Sequence, residues 1–147
     1  MLDTDAGVFT KSTILDITSS IQENKFKNMA DQGIQDLIDK LNQFASERQW
    51  GKFHTPKNLV MALASESGEL SEIFQWLTNE ESLVQNLSEE QLNKIREETA
   101  DIFLYLLILV DKLNIDIIQA ANDKITLNAK KYPVELSKGN AKKYTEL

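Results

Sequence analysis

Two stretches with the apolar spacing of helices, Leu59–Leu77 and Leu92–Leu113, each carry a pair of acids three residues apart: Glu66 and Glu69 in the first, Glu98 and Asp101 in the second. Residues three apart share a helix face, so each pair aims two carboxylates at one point. Glu66 falls in register with Leu59, Leu63, Leu70, Ile73 and Leu77, and so takes a slot that the pattern reserves for core. Asp101 borders Ile102–Val110, a run that is apolar on every face and implies burial either within a bundle or at a subunit interface. Packed side by side, the two helices bring four carboxylates to a place where like charges repel and desolvation is costly. A divalent cation relieves both. Hard cations take oxygen ligands and leave coordination positions for substrate phosphates.

The rest of the chain fits that picture. At 147 residues it is expected to form one domain. It has no cysteine, which removes disulfides, thiolate metal sites and a Cys nucleophile. The net charge of −7 argues against a nucleic-acid binder, since duplex recognition normally shows a basic face. No basic region followed by an apolar run opens the chain, and Ile102–Val110 is too short to span a bilayer, so a soluble, cytoplasmic protein with no membrane contact is expected.

With five glycines and two prolines, and helical spacing nearly throughout, the fold class is all-α. A first core helix is predicted from about Ile34 to Trp50, with Ile34, Leu37, Ile38, Leu41 and Phe44 on one stripe. Thr55 and Pro56 start a second, as N-cap and first helical residue, reaching about Leu77. A polar stretch, Thr78–Leu87, leads to Ser88, where Ser-Glu-Glu-Gln reads as a capping box for a third helix ending near Leu113. Asp116 with Gln119 repeats that logic for a fourth, stopping near Tyr132 because Pro133 follows. Four helices with short connections predict a bundle. The tail beyond Pro133 is assigned no regular structure except a turn at Gly139. Residues 1–30 are read as an N-terminal arm ahead of a domain at 31–147; Ile14, Ile17 and Ile21 have helical spacing, but Ser, Thr and Asp are frequent, so a loose arm and a packed helix both stay open.

The kind of metal follows from the ligands. Bundle di-iron sites need Glu-x-x-His motifs, and His54, the single histidine, precedes Pro56 in a loop; oxygen-only ligation points to Mg2+ or Mn2+. Such a site can activate water and clamp phosphoryl oxygens, which suits hydrolysis of a phosphoanhydride. Lys124 and Asn128, four apart, lead into Lys131 and Tyr132 and supply cation and amide for phosphate. Alone, lysines near a helix C-terminus often only complement its dipole. Trp50, Phe53 and His54 precede the acidic helix, Trp76 lies at its end and Tyr105 stands one turn beyond Asp101. Core packing is the expected role of Phe74 and Phe103, whereas Trp50 and His54 stand where a base can stack.

These runs resemble a known family. Arg48-Gln-Trp50, Phe53-His54-x-Pro56-Lys57-Asn58-Leu59, Glu66-Ser-Gly-Glu69-Leu-x-Glu72-x-Phe-Gln-Trp76, Glu97-Glu98-x-x-Asp101 and Lys131-Tyr132-Pro133 are similar to those of the MazG-like all-α nucleoside triphosphate pyrophosphohydrolases, most of all the dCTP pyrophosphatase branch. The resemblance runs from about Leu41 to Leu147. It implies Mg2+-dependent attack of water on a nucleoside triphosphate, most of all dCTP, releasing monophosphate and pyrophosphate in house-cleaning of the nucleotide pool. It implies Glu66, Glu69, Glu98 and Asp101 as catalytic metal ligands, Lys124 and Asn128 at phosphate or sugar with Lys131 and Tyr132 beside them, and Trp50, His54, Trp76 and Tyr105 around base and deoxyribose. It also implies a homotetramer. Related specificities (dUTP, modified cytosine nucleotides, broad NTP use) and a non-catalytic acidic helical interaction module are the alternatives.

Overall fold

The computed structural model describes residues 32–146, and the N-terminal arm expected over residues 1–30 lies outside them. All regular structure among the described residues is helical. Helix α1 covers residues 32–47, α2 Pro56–Phe74, α3 Glu89–Lys112, α4 Ile117–Lys131 and α5 Val134–Ser137. The chain divides after Lys40 into two compact units, and the second, Leu41–Leu147, holds everything that follows.

Local chemistry sets the helix ends. The Thr55 side chain accepts the Asn58 backbone N–H at 3.3 Å, with Pro56 in the first turn where a missing N–H costs nothing. Ser88 and Gln91 form the expected reciprocal box: Ser88 Oγ accepts the Gln91 N–H at 3.2 Å and Gln91 Oε1 accepts the Ser88 N–H at 2.9 Å. Helix α3 closes on Asn114, which turns left-handed (φ 53°), while Ile115 N–H reaches Val110 O and Asn114 N–H reaches Asp111 O, a Schellman ending. Asp116 caps α4 at 2.8 Å, but the Gln119 side chain turns forward to Asp123 instead of completing a box.

Two boundaries differ from expectation. Helix α2 stops at Phe74, short of Leu77, because the Leu77 N–H bonds Phe74 O in a tightened turn and Thr78 then pairs with Glu81. Both the N–H and the hydroxyl of Thr78 donate to the Glu81 carboxylate, which lowers its pKa. The tail is not irregular throughout: Pro133 O accepts from Leu136 and Ser137 N–H and starts the one-turn α5, and Gly139, at φ 78°, leaves it in the left-handed region.

Helices α2 and α3 pack along each other. Glu69 meets Glu98 and Leu59 shares a cavity with Tyr105, so the two run antiparallel. Leu59, Leu107 and Val110 are almost wholly buried, with Ala45 and Ile108 beside that level. Side chains such as Leu59 and Leu107 contribute about 2 kcal/mol each by leaving water. Asn42 Nδ2 donates to Asp111 at 3.1 Å and ties α1 to the end of α3. The described residues do not cover the Ile102–Val110 run on every face, however. Phe103, expected in the core, is 42% exposed, because among the described residues no element covers the helix face it occupies. No helix among the described residues is long and apolar enough to cross a membrane.

Candidate active site

The antiparallel register of α2 and α3 brings the two acidic pairs together. Carboxylate oxygens of Glu66, Glu69 and Glu98 lie within 4.8 Å of one another. Partial desolvation, then the charges of Glu69, Asp101 and Glu98, raise the pKa of Glu66; desolvation, then Glu69, Asp101 and Glu97, raise that of Glu98. Glu97, adjacent in sequence, thus adds to the field. Oxygens bound on opposite sides of a Mg2+ ion stand about 4.2 Å apart. Rotation of these partly exposed side chains closes the remaining gap, and the absence of nitrogen or sulfur donors fits a hard cation. Glu66, Glu69 and Glu98 are therefore suited to hold one. Asp101 is more exposed than its place beside the apolar run suggests. It stands close enough to raise both neighbours and also lines the adjoining cavity.

That cavity, about 200 Å³, is walled by Phe44, Ala45, Trp50, His54, Leu104, Tyr105 and Ile108 together with Leu41 and Asp101. A second hollow of about 290 Å³ shares Trp50, His54 and Tyr105 and reaches Phe53, Asn58 and Ala62. The turn before α2 places the aromatic rings. Gln49 adopts φ 54°, Phe53 and His54 N–H both bond Trp50 O at 2.8 and 3.2 Å, and Asn58 Nδ2 holds Phe53 O at 2.9 Å. Trp50 stands edge-on to Phe44 at 5.7 Å and to His54 at 6.3 Å, while the Arg48 guanidinium sits 3.6 Å over the Phe44 ring. A mostly apolar slot with one carboxylate, Asp101, in its wall suits a flat heterocycle carrying amino groups.

The other expected residues stand apart from this cluster. Trp76 lies beyond the early end of α2 and is 86% exposed. Lys124, Asn128, Lys131 and Tyr132 belong to α4 and its C-cap, all exposed, and none lines the cavities around the acids. The tail folds onto the last two: Tyr144 packs edge-on to Tyr132 at 6.0 Å, and Lys131 Nζ lies 5.2 Å over the Tyr144 ring. The apolar walls supplied by Leu41, Phe44, Leu104 and Ile108 were not assigned to the site from sequence, since two helices far apart in the chain contribute them and only their helical phase gave a signal.

Residues 61–147 match the model of the MazG-like family. A bovine protein, dCTP pyrophosphatase 1, is 39% identical over 88% of this chain and 76% of its own length, and the human protein of that name is 40% identical over 71% and 62%. The solved structure of a pyrophosphatase from Archaeoglobus fulgidus superposes with a TM-score of 0.64 at 40% identity, covering 69% of this chain and 93% of that one. Helical architecture, acidic cluster and sequence identity agree: the chain belongs to the MazG-like family, the all-α nucleoside triphosphate pyrophosphohydrolases that its motifs resemble.

Proposed function

We propose that this pyrophosphohydrolase acts on dCTP, with Mg2+, to give dCMP and pyrophosphate, and serves as a house-cleaning enzyme of the cytoplasmic nucleotide pool. The observation that carries the proposal is Asp101, which lines the cavity of Trp50, His54 and Tyr105 and whose charge acts on Glu66 and Glu98 of the carboxylate cluster. A base stacked among those rings lies within one nucleotide of a site built for a cation and phosphates. Glu66, Glu69 and Glu98 hold the metal, Asp101 completes the quartet, and a cation bound there supplies the Lewis acidity that polarises phosphoryl oxygens and lowers the pKa of water. The aromatic walls orient the nucleoside and exclude water from the base. Water adds at the α-phosphorus, the bond from that phosphorus to the α,β-bridging oxygen breaks, and pyrophosphate departs. Stacking grips any base, so preference for cytosine rests on polar groups at the pocket edge.

The functional unit is proposed to be a homotetramer. Helix α4 has no buried residue, Ile125 and Leu127 on it are 66% and 51% exposed, and Phe103 on α3 is exposed as well, apolar surface that a second copy can cover. In such an assembly Trp76, Lys124, Asn128, Lys131 and Tyr132 join a neighbour's cavity. Screening the purified protein with Mg2+ against all dNTPs and NTPs tests the substrate. The highest kcat/KM is expected on dCTP, with pyrophosphate as coproduct; purine preference, or orthophosphate release without added pyrophosphatase, contradicts it.

A further inference from the structure

A third cavity, about 370 Å³, lies on the side of the acidic cluster away from the aromatic rings and is lined by Glu69, Glu72, Ile73, Gln91, Lys94 and Glu98. Along α3 the order is Tyr105 at the aromatic cavity, then Asp101 and Glu98 in the acidic cluster, then Lys94 one turn further. Tyr105 and Lys94 are roughly 16 Å apart along the axis at 1.5 Å per residue. A nucleotide whose base meets Tyr105 and whose α-phosphate meets the carboxylate-held metal therefore directs its outer phosphates toward Lys94. Three glutamates in that cavity repel a polyanion. Among the described residues lining it, Lys94 is the single cation.

We propose that Lys94 binds the departing pyrophosphate, a role that rests on the triphosphate hydrolysis proposed above. Its ammonium pairs at 3.1 Å with Glu90, but that i,i+4 pair is exposed at both ends, 58% and 79%, and so contributes little that binding an anion must displace. Gln91, the other polar non-acidic wall, carries no charge and has its Oε1 held by the Ser88 N–H. The long lysine stem carries a point charge free to follow the leaving group from cluster to solvent.

The experiment measures inhibition of dCTP hydrolysis by added inorganic pyrophosphate and, separately, by dCMP, at fixed free Mg2+, in the wild type, Lys94→Gln, Lys94→Arg and Glu90→Gln. Lys94→Gln is expected to weaken pyrophosphate inhibition about tenfold, the scale of one lost charge-assisted contact. Inhibition by dCMP should stay within about twofold and Lys94→Arg should restore most of the loss, which a merely structural effect does not produce. Glu90→Gln, which frees the ammonium without touching the cavity, should tighten pyrophosphate inhibition. Unchanged pyrophosphate inhibition in Lys94→Gln, or equal weakening for both inhibitors, overturns the role of Lys94. A wild type that releases no pyrophosphate from any triphosphate is recognised before any variant is compared and overturns the proposed function along with it.

Discussion

Helices α3 and α4 follow one another in the chain and end in opposite situations. Helix α3 buries Leu107, Ile108 and Val110 and lends Glu98 and Asp101 to a site shared with α2, whereas α4 buries nothing and leaves Ile125 and Leu127 in solvent. The acidic site is assembled within one chain. The cation-bearing helix lines none of the cavities around it. On the proposed reading, metal binding is a property that a single subunit can express and full substrate capture belongs to an assembly, a division that experiments can break or sharpen.

The largest expected effect falls on the α2–α3 side. Glu66→Gln, Glu69→Gln, Glu98→Gln and Asp101→Asn are each expected to lower kcat by about 10³-fold or more, some 4 kcal/mol of barrier, while the protein stays folded. Near-normal turnover in any two of them removes the cluster from the chemistry. On the α4 side, Ile125→Asp places a charge on the exposed apolar face and is expected to convert a four-chain particle into smaller species by light scattering. A wild type that is monomeric and fully active dissolves the contrast.

Aromatic truncations come next. Trp50→Ala and Trp76→Ala are each expected to lower kcat/KM for dCTP by about tenfold, near 1.4 kcal/mol, with the Mg2+ requirement intact. Trp50 lies against His54 of its own chain and Trp76 is 86% exposed, so the proposed assembly gives Trp76, and not Trp50, its place at the substrate through a neighbour. The loss in Trp76→Ala should accordingly vanish against an Ile125→Asp background, and the loss in Trp50→Ala should persist. The smallest effect is local: Ser88→Ala is expected to cost about 1 kcal/mol in denaturant unfolding by removing the α3 cap.

Much of this was legible in the sequence because the signals are short-range. Thr55-Pro56 and Ser88 with Gln91 act within one turn, and acids three residues apart declare their shared face without knowledge of the partner helix. The early end of α2 has its signal in the Thr78–Glu81 pairing, which apolar spacing continuing to Leu77 does not register. Phe103 shows where periodicity runs out: apolar spacing states that a face is to be covered, not whether its own chain covers it. The walls of the aromatic cavity needed the tertiary fold, since Phe44, Trp50 and Tyr105 come from three elements.

Thermal unfolding at pH 8 with and without Mg2+, in the wild type and Glu66→Gln, reaches the acidic cluster most directly. Glu66 and Glu98 have raised pKa values, so between the ordinary carboxylate range and those values the folded metal-free protein holds more protons than the unfolded chain. Its stability falls as pH rises through that window and levels off above it. At pH 8 the repulsion is fully present; Mg2+ offsets it and adds about 2.7 kcal/mol at a hundredfold excess over Kd. The wild type is expected to gain a higher midpoint with Mg2+, and Glu66→Gln to start above the metal-free wild type and respond little. A wild type indifferent to Mg2+, or a variant that responds as the wild type does, contradicts a metal site built from these carboxylates.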